Sequence, residues 1–120
     1  MIIQTEIIND VLVVKPLIKK LTSMDAGEFR ESTQSHIDKG IFFILLDLSL
    51  IDYMDSSGLG SIASIHNYLE GQLSNIGMKG ALGVIGLNDK TKSMFSIFRM
   101  NTVIPVFDNQ EEAISKLKNS

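Results

Sequence analysis

The sequence predicts an α/β fold, a mostly parallel or mixed β-sheet with an N-terminal hairpin and about four helices packed against it. Three observations predict it. Two apolar, β-branched runs stand side by side near the amino terminus, split only by Asn9 and Asp10. An unbroken apolar run, Ile41 to Leu46, suits a strand covered on both faces. Short apolar runs then alternate with segments of helical period, the pattern of strands joined by helical crossovers.

Taken in order, Ile2 to Ile8 and Val11 to Leu17 read as an antiparallel hairpin, because Asn and Asp tolerate the positive φ angles of a tight turn. From about Ser23 to Lys39, Ala26, Phe29, Thr33 and Ile37 recur at helical spacing, and Gly40 supplies a stop. Ile41 to Leu46 is the expected central strand. After Gly58, the residues Leu59, Ile62, Ala63, His66, Leu69 and Leu73 form one helical stripe that ends near Gly77. Ala81 to Leu87 reads as a strand, followed by a short helix with Thr91, Met94, Phe95 and Phe98 on one face. Val103 to Phe107 reads as a last strand, placed at a sheet edge because Pro105 lacks an N–H. Asp108 and Glu111 suggest a capping box before a closing helix that carries Ala113, Ile114 and Leu117. The expected order is β-β-α-β-α-β-α-β-α.

A length of 120 residues fits a single domain, 1–120, with one core. Hydrophobic residues at 44% and charged residues at 21% provide enough apolar surface to fold, which argues against disorder. A net charge of −3, with Lys and Arg scattered except for Lys19-Lys20, leaves no basic stripe for nucleic acid. The absence of cysteine removes disulfides, thiolate metal sites and a cysteine nucleophile, and fits a reducing cytoplasm. No apolar run is long enough to span a bilayer, and no export signal is expected.

The segment from Leu46 to Gly60 leads out of the central strand into the second helix. In parallel sheets, partners meet the chain at the carboxyl ends of strands, where helix amino termini are exposed. Asp55 or Ser56 can accept from the unpaired N–H groups of the first helical turn, and Gly58 and Gly60 permit close approach of another surface. The same residues also read plainly as a helix cap followed by two packing glycines.

Leu46-Asp47-Leu48-Ser49 followed by Met54-Asp55-Ser56-Ser57-Gly58-Leu59-Gly60 resembles the STAS domain family, and most closely its bacterial anti-sigma factor antagonists. The resemblance extends over nearly the whole chain in length and element order. It implies a partner switch. The unphosphorylated antagonist binds an anti-sigma factor that is also a serine kinase, which frees a sigma factor for transcription. Phosphorylation ends the binding, and a serine phosphatase of the PP2C type restores it. Carried onto this chain, Ser56 is the implied phosphoacceptor, with Ser57 the second candidate. Asp55, Ser57, Gly58, Leu59 and Gly60 are the implied support for that site and for partner binding. No cofactor is implied. The alternative is a STAS module that binds a ligand or serves a transporter complex without a phosphorylation cycle.

The chain departs from this pattern at Lys15-Pro16-Leu17-Ile18-Lys19-Lys20, which replaces the glycine and acidic residue often found before the first helix. Other chemistry finds little support. His36 and His66 lack paired ligand spacing. Ser56 lacks a Gly-x-Ser-x-Gly setting and a base placed by sequence. Gly58-Leu59-Gly60 is too short for a dinucleotide fingerprint. Asp47 lacks the acidic pair of a receiver domain. Neither catalytic nor metal-binding residues are therefore expected. Met94, Phe95, Ile97, Phe98 and Met100 exceed what one short helical face can bury, so part of that segment is expected at the surface.

Overall fold

The computed structural model describes residues 1–119. The chain opens with strands β1 (Ile3–Ile8) and β2 (Val11–Pro16), paired antiparallel with Ile8 opposite Val11. Asn9 and Asp10 both take positive φ, 50° and 66°, so the turn has the twist that a two-residue hairpin requires. Helix α1 (Ala26–Asp38) returns the chain to β4 (Phe43–Asp47), which runs parallel to β2. Helix α2 (Ser56–Ile76) then leads to β6 (Ala81–Ile85), parallel to β4. The sheet order β1-β2-β4-β6 puts β4 in the interior, as its unbroken apolar run predicts.

Apolar side chains fill both faces of this mixed sheet. Leu12, Val14, Ile44 and Leu46 face a core shared with Phe29 and Ile37 of α1 and with Ile62, Ile65 and Leu69 of α2. Val11, Val13, Leu45 and Ile85 face the other way, against Ala113, Ile114 and Leu117 of α4 (Gln110–Lys118). Helices α1 and α2 are further joined by a hydrogen bond from the Tyr68 hydroxyl, within α2, to the Asp38 carboxylate at the end of α1.

Several boundaries differ from expectation, each for a local reason. The first helix starts at Ala26 rather than Ser23, behind an Asp25 whose side chain does not cap it. Val103 to Phe107 forms no strand. Val103 and Ile104 donate back to the Met100 carbonyl, closing a 3₁₀ turn (Met100–Thr102) behind α3 (Asp89–Ile97). What remains is one parallel bridge, Val84 to Val106, made by the Pro105 carbonyl and the Phe107 N–H at the sheet edge. The cap of α4 is Asn109, which accepts from Glu112 N–H at 2.8 Å, so a one-sided cap one residue further on replaces the expected Asp108–Glu111 box. A true capping box stands at α3, where Asn88 and Thr91 each accept from the other's backbone N–H. His66 lies beside the buried stripe of α2, not on it; Ile65 takes the core position and His66 is half-buried.

Two very short strands were not expected. β3 (Lys20–Leu21) and β5 (Tyr53–Met54) pair in parallel as a separate two-stranded ribbon, Lys20 with Tyr53 and Leu21 with Met54. This ribbon positions the start of α2.

Candidate functional site

The segment between β4 and α2 is held by backbone bonds to the chain before α1. Lys19 carbonyl accepts from Asp52 N–H at 2.8 Å and from Tyr53 N–H at 3.3 Å. Leu21 carbonyl accepts from Asp55 N–H at 3.4 Å. Leu21 and Met54 are fully buried, whereas Lys20 and Tyr53 are exposed, so the ribbon has one core face and one outer face.

Asp55 is the N-cap of α2, in an extended conformation with φ −98° and ψ −173°. One carboxylate oxygen accepts from Gly58 N–H at 2.9 Å, satisfying a donor that the first helical turn leaves unpaired. The other oxygen accepts from Ser23 N–H at 3.3 Å, which ties the loop before α1 to the α2 start. Gly58 is required by geometry, because a Cβ there would stand 2.2 Å from the Leu21 carbonyl oxygen. Its close approach is therefore made to β3, within the protein. Ser61 closes the turn by donating to the Gly58 carbonyl at 2.7 Å.

Ser56 and Ser57 occupy the first two helical positions, and both are exposed. Gly60 is also exposed, and beyond its own helical turn nothing lies within 4 Å of where its Cβ would be. Leu59 is 3% exposed and belongs to the core. The structure thus separates the motif into an inner set, Gly58 and Leu59, and an outer set, Ser56, Ser57 and Gly60, with Asp55 fixing the boundary. Any external surface that approaches the motif meets the outer set.

A concavity of about 670 Å³ lies elsewhere, between the hairpin turn and α4, lined by Asn9, Asp10, Glu111 and Lys118 among others. No cluster of three or more His, Asp or Glu side chains that could hold a metal ion occurs among the described residues. No helix among them is long and apolar enough to cross a membrane.

Residues 3–113 match the model of the STAS domain. The chain belongs to the STAS domain family. A Thermotoga neapolitana homologue of the proposed anti-sigma factor antagonist TM1081 is 26% identical over 114 residues, 94% of this chain and 95% of that one. The crystal structure of the Thermotoga maritima protein itself matches this STAS domain with a TM-score of 0.84 at 25% identity, over 97% of this chain and 94% of that chain. The anti-sigma factor antagonist SpoIIAA in its unphosphorylated form shares the fold, with a TM-score of 0.72 at 20% identity over 99% of this chain and 100% of its own. The phosphorylated form of Bacillus SpoIIAA matches with a TM-score of 0.69 at 20% identity, over 96% and 98% of the two chains.

The outer surface of the STAS domain has apolar groups that a sequence stripe does not locate. Met24, Leu50 and Tyr53 are 90%, 46% and 41% exposed, and all three stand on the segments that frame Ser56. Ile97 and Phe98 at the end of α3 are exposed as well, while Phe95 and Met100 are buried, in keeping with the excess of apolar residues in that segment. Met24 and Leu50 lie in loops where no periodicity marks them; only the finished fold shows that they, like Tyr53, are surface groups.

Proposed function

We propose that this chain is a single-domain anti-sigma factor antagonist, a cytoplasmic bacterial binding protein and not an enzyme. Its unphosphorylated form binds an anti-sigma factor that is also a serine kinase, and so releases a sigma factor. Phosphorylation of Ser56 by that kinase ends the binding, and a PP2C-type phosphatase resets the switch. The observation that carries this reading is the exposed Ser56 at the first position of α2, directly behind the cap in which Asp55 accepts from the Gly58 N–H. Antagonists among the relatives, and SpoIIAA in both phosphorylation states, support it.

The physics favours a switch at this position. A phosphate adds roughly 1.5 to 2 negative charges, enough to make a fitted and desolvated contact unfavourable. The partially positive helix start tolerates that charge within the protein itself. Asp55 fixes the backbone that presents Ser56, and its own charge adds to the repulsion of a partner after modification.

The test uses each purified anti-sigma factor/serine kinase of the source genome with ATP. One of them is expected to bind the unmodified chain and to add a single phosphate at Ser56 by mass spectrometry, with incorporation lost in Ser56→Ala. Incorporation that persists unchanged in Ser56→Ala would remove Ser56 as the acceptor, and equal binding by Ser56→Asp would remove the charge switch.

A further inference from the structure

The two edges of the main sheet differ. At the β6 edge, the Val84–Val106 bridge covers the strand, and Pro105 beside it has no N–H to offer a further one. At the other edge stands β1, the first strand of the order β1-β2-β4-β6, and nothing pairs with its outer side among the described residues. The devices that blunt an open edge are missing there. Ile2 to Ile8 contains no proline and no lysine, its ladder to β2 runs without a bulge, and its one charge is Glu6.

The ladder decides which backbone groups of β1 look outward. Ile8 and Val11 close the two-residue turn, and at the other end of the hairpin the Ile2 carbonyl accepts from Leu17 N–H at 2.9 Å. Hydrogen-bonded and non-bonded pairs alternate along an antiparallel ladder, so Ile2, Gln4, Glu6 and Ile8 turn their backbone groups toward β2. Ile3, Thr5 and Ile7 turn theirs to the open edge, and no backbone bond outside the ladder uses them among the described residues. Side chains add apolar surface near both ends of the strand, with Ile2 70% and Ile7 63% exposed.

We propose that this edge pairs with the β1 edge of a second copy of the chain, antiparallel about a two-fold axis at Thr5, so that two sheets become one. An axis perpendicular to the sheet keeps like faces together and centres on a single residue. Centred on Glu6, it sets the only charge of the strand against itself. Centred on Gln4, it sets Ile3 against Thr5 and Ile2 against Glu6. Centres nearer either end shorten the ladder. Centred on Thr5, it sets Ile3 against Ile7 on one face, and Ile2 against Ile8 and Gln4 against Glu6 on the other, so apolar groups meet apolar groups and no like charges meet. Every outward N–H and C=O of β1 then has a partner, Ile3 with Ile7 and Thr5 with Thr5 of the other copy. In this arrangement β4 of one copy runs opposite to β4 of the other, which leaves the two Ser56 sites at opposite ends of the joined sheet. The pairing does not rest on the function proposed above; combined with that function, it makes the antagonist bivalent.

Sedimentation equilibrium of the full chain, from about 1 to 500 μM, is expected to show a mass that rises from one chain toward two. Thr5→Lys/Ile7→Lys sets cations against each other at the axis and is expected to weaken the association about tenfold or more. Ser74→Lys/Asn75→Lys makes the same charge change at exposed residues near the end of α2 and is expected to alter it less than about threefold. The chain has no cysteine, so one introduced thiol reports the register. Thr5→Cys meets its own copy at a Cα separation of about 5.5 Å, within disulfide reach, whereas Glu6→Cys lies opposite Gln4 and out of reach of its own copy. Both positions are exposed, so access alone does not separate them. In a glutathione redox buffer, the Thr5→Cys variant is expected to give about tenfold more disulfide-linked dimer than the Glu6→Cys variant on a non-reducing gel. The mass of one chain at every concentration would leave the edge to a strand of another protein and overturn the inference. Undiminished association in Thr5→Lys/Ile7→Lys, or equal disulfide yields from the two cysteine variants, would overturn it as well. None of these outcomes touches the Ser56 switch, which is read by kinase binding and phosphate incorporation. Should the two lysines lower the thermal midpoint, the disulfide comparison decides, because it needs only a small change at one exposed residue.

Discussion

Gly58 and Gly60 stand two positions apart at the start of α2 and face opposite surroundings. A methyl group at Gly58 would meet the Leu21 carbonyl oxygen at 2.2 Å, and a backbone atom paired into a ribbon cannot step aside cheaply. Gly58→Ala is therefore expected to destabilise the protein by about 2 kcal/mol or more, in the range of overpacked sites. At Gly60 the same methyl group meets open space in a helix that glycine weakens, so Gly60→Ala is expected to stabilise by about 0.5–1 kcal/mol. Urea unfolding of the two variants beside wild type checks both signs, and a stabilised Gly60→Ala that binds its partner poorly would mark Gly60 as a contact position. The sequence made the pair legible as glycines needed for close approach. It could not say which approach is internal, because that depends on β3, a two-residue strand distant in sequence. Leu59 shows the same limit: its place in the motif suggests a contact residue, and its 3% exposure makes it core.

At the scale of elements, period and length decided what the sequence revealed. The unbroken run of β4 and the stripes of α1 and α2 are long enough to carry a signal, and the structure has them at those places. β3 and β5, at two residues each, have no period to read, so the ribbon that frames the site was invisible. Val103 to Phe107 misled in the opposite sense, because its apolar composition suits a strand while the Val103 and Ile104 donors are spent on the preceding 3₁₀ turn and only the Pro105 carbonyl and Phe107 N–H reach the sheet. The α1–α2 pair contains a testable link in Tyr68. Its hydrogen bond to Asp38, then desolvation, then the Asp38 charge raise the Tyr68 pKa above its ordinary value of 10.0, with Gln72 opposing. A raised pKa means that the folded protein favours the neutral phenol over the phenolate. The contribution is complete below pH 10 and is lost as the pH rises through the folded pKa. Tyr68→Phe is thus expected to be less stable than wild type near neutrality, with a gap that closes at alkaline pH. Urea midpoints of both proteins across that range provide the measurement, and a gap independent of pH would assign the loss to packing instead.

Over the whole molecule, strands β2, β4 and β6 bury side chains on both faces of the sheet, and the motif follows the carboxyl end of the interior strand β4. That arrangement lets the surface chemistry at Ser56 change without disturbing either core. Ser56 is exposed, none of the described hydrogen bonds depends on its hydroxyl, and the first turn of α2 contains no acidic residue. A carboxylate at this position gains about 0.3–1 kcal/mol from the helix dipole, and the nearby Asp55 charge offsets part of that gain. Ser56→Asp is therefore expected to keep its stability within about 0.5 kcal/mol of wild type, a shift of about 2 °C in Tm for a chain of this size. Far-UV circular dichroism and a thermal scan provide that comparison, and the same preparation then goes into the binding titration. Wild-type stability together with lost affinity places the effect at the contact surface. A Tm lowered by many degrees would instead make Ser56 a structural residue of the α2 start, and the lost affinity would then follow from unfolding.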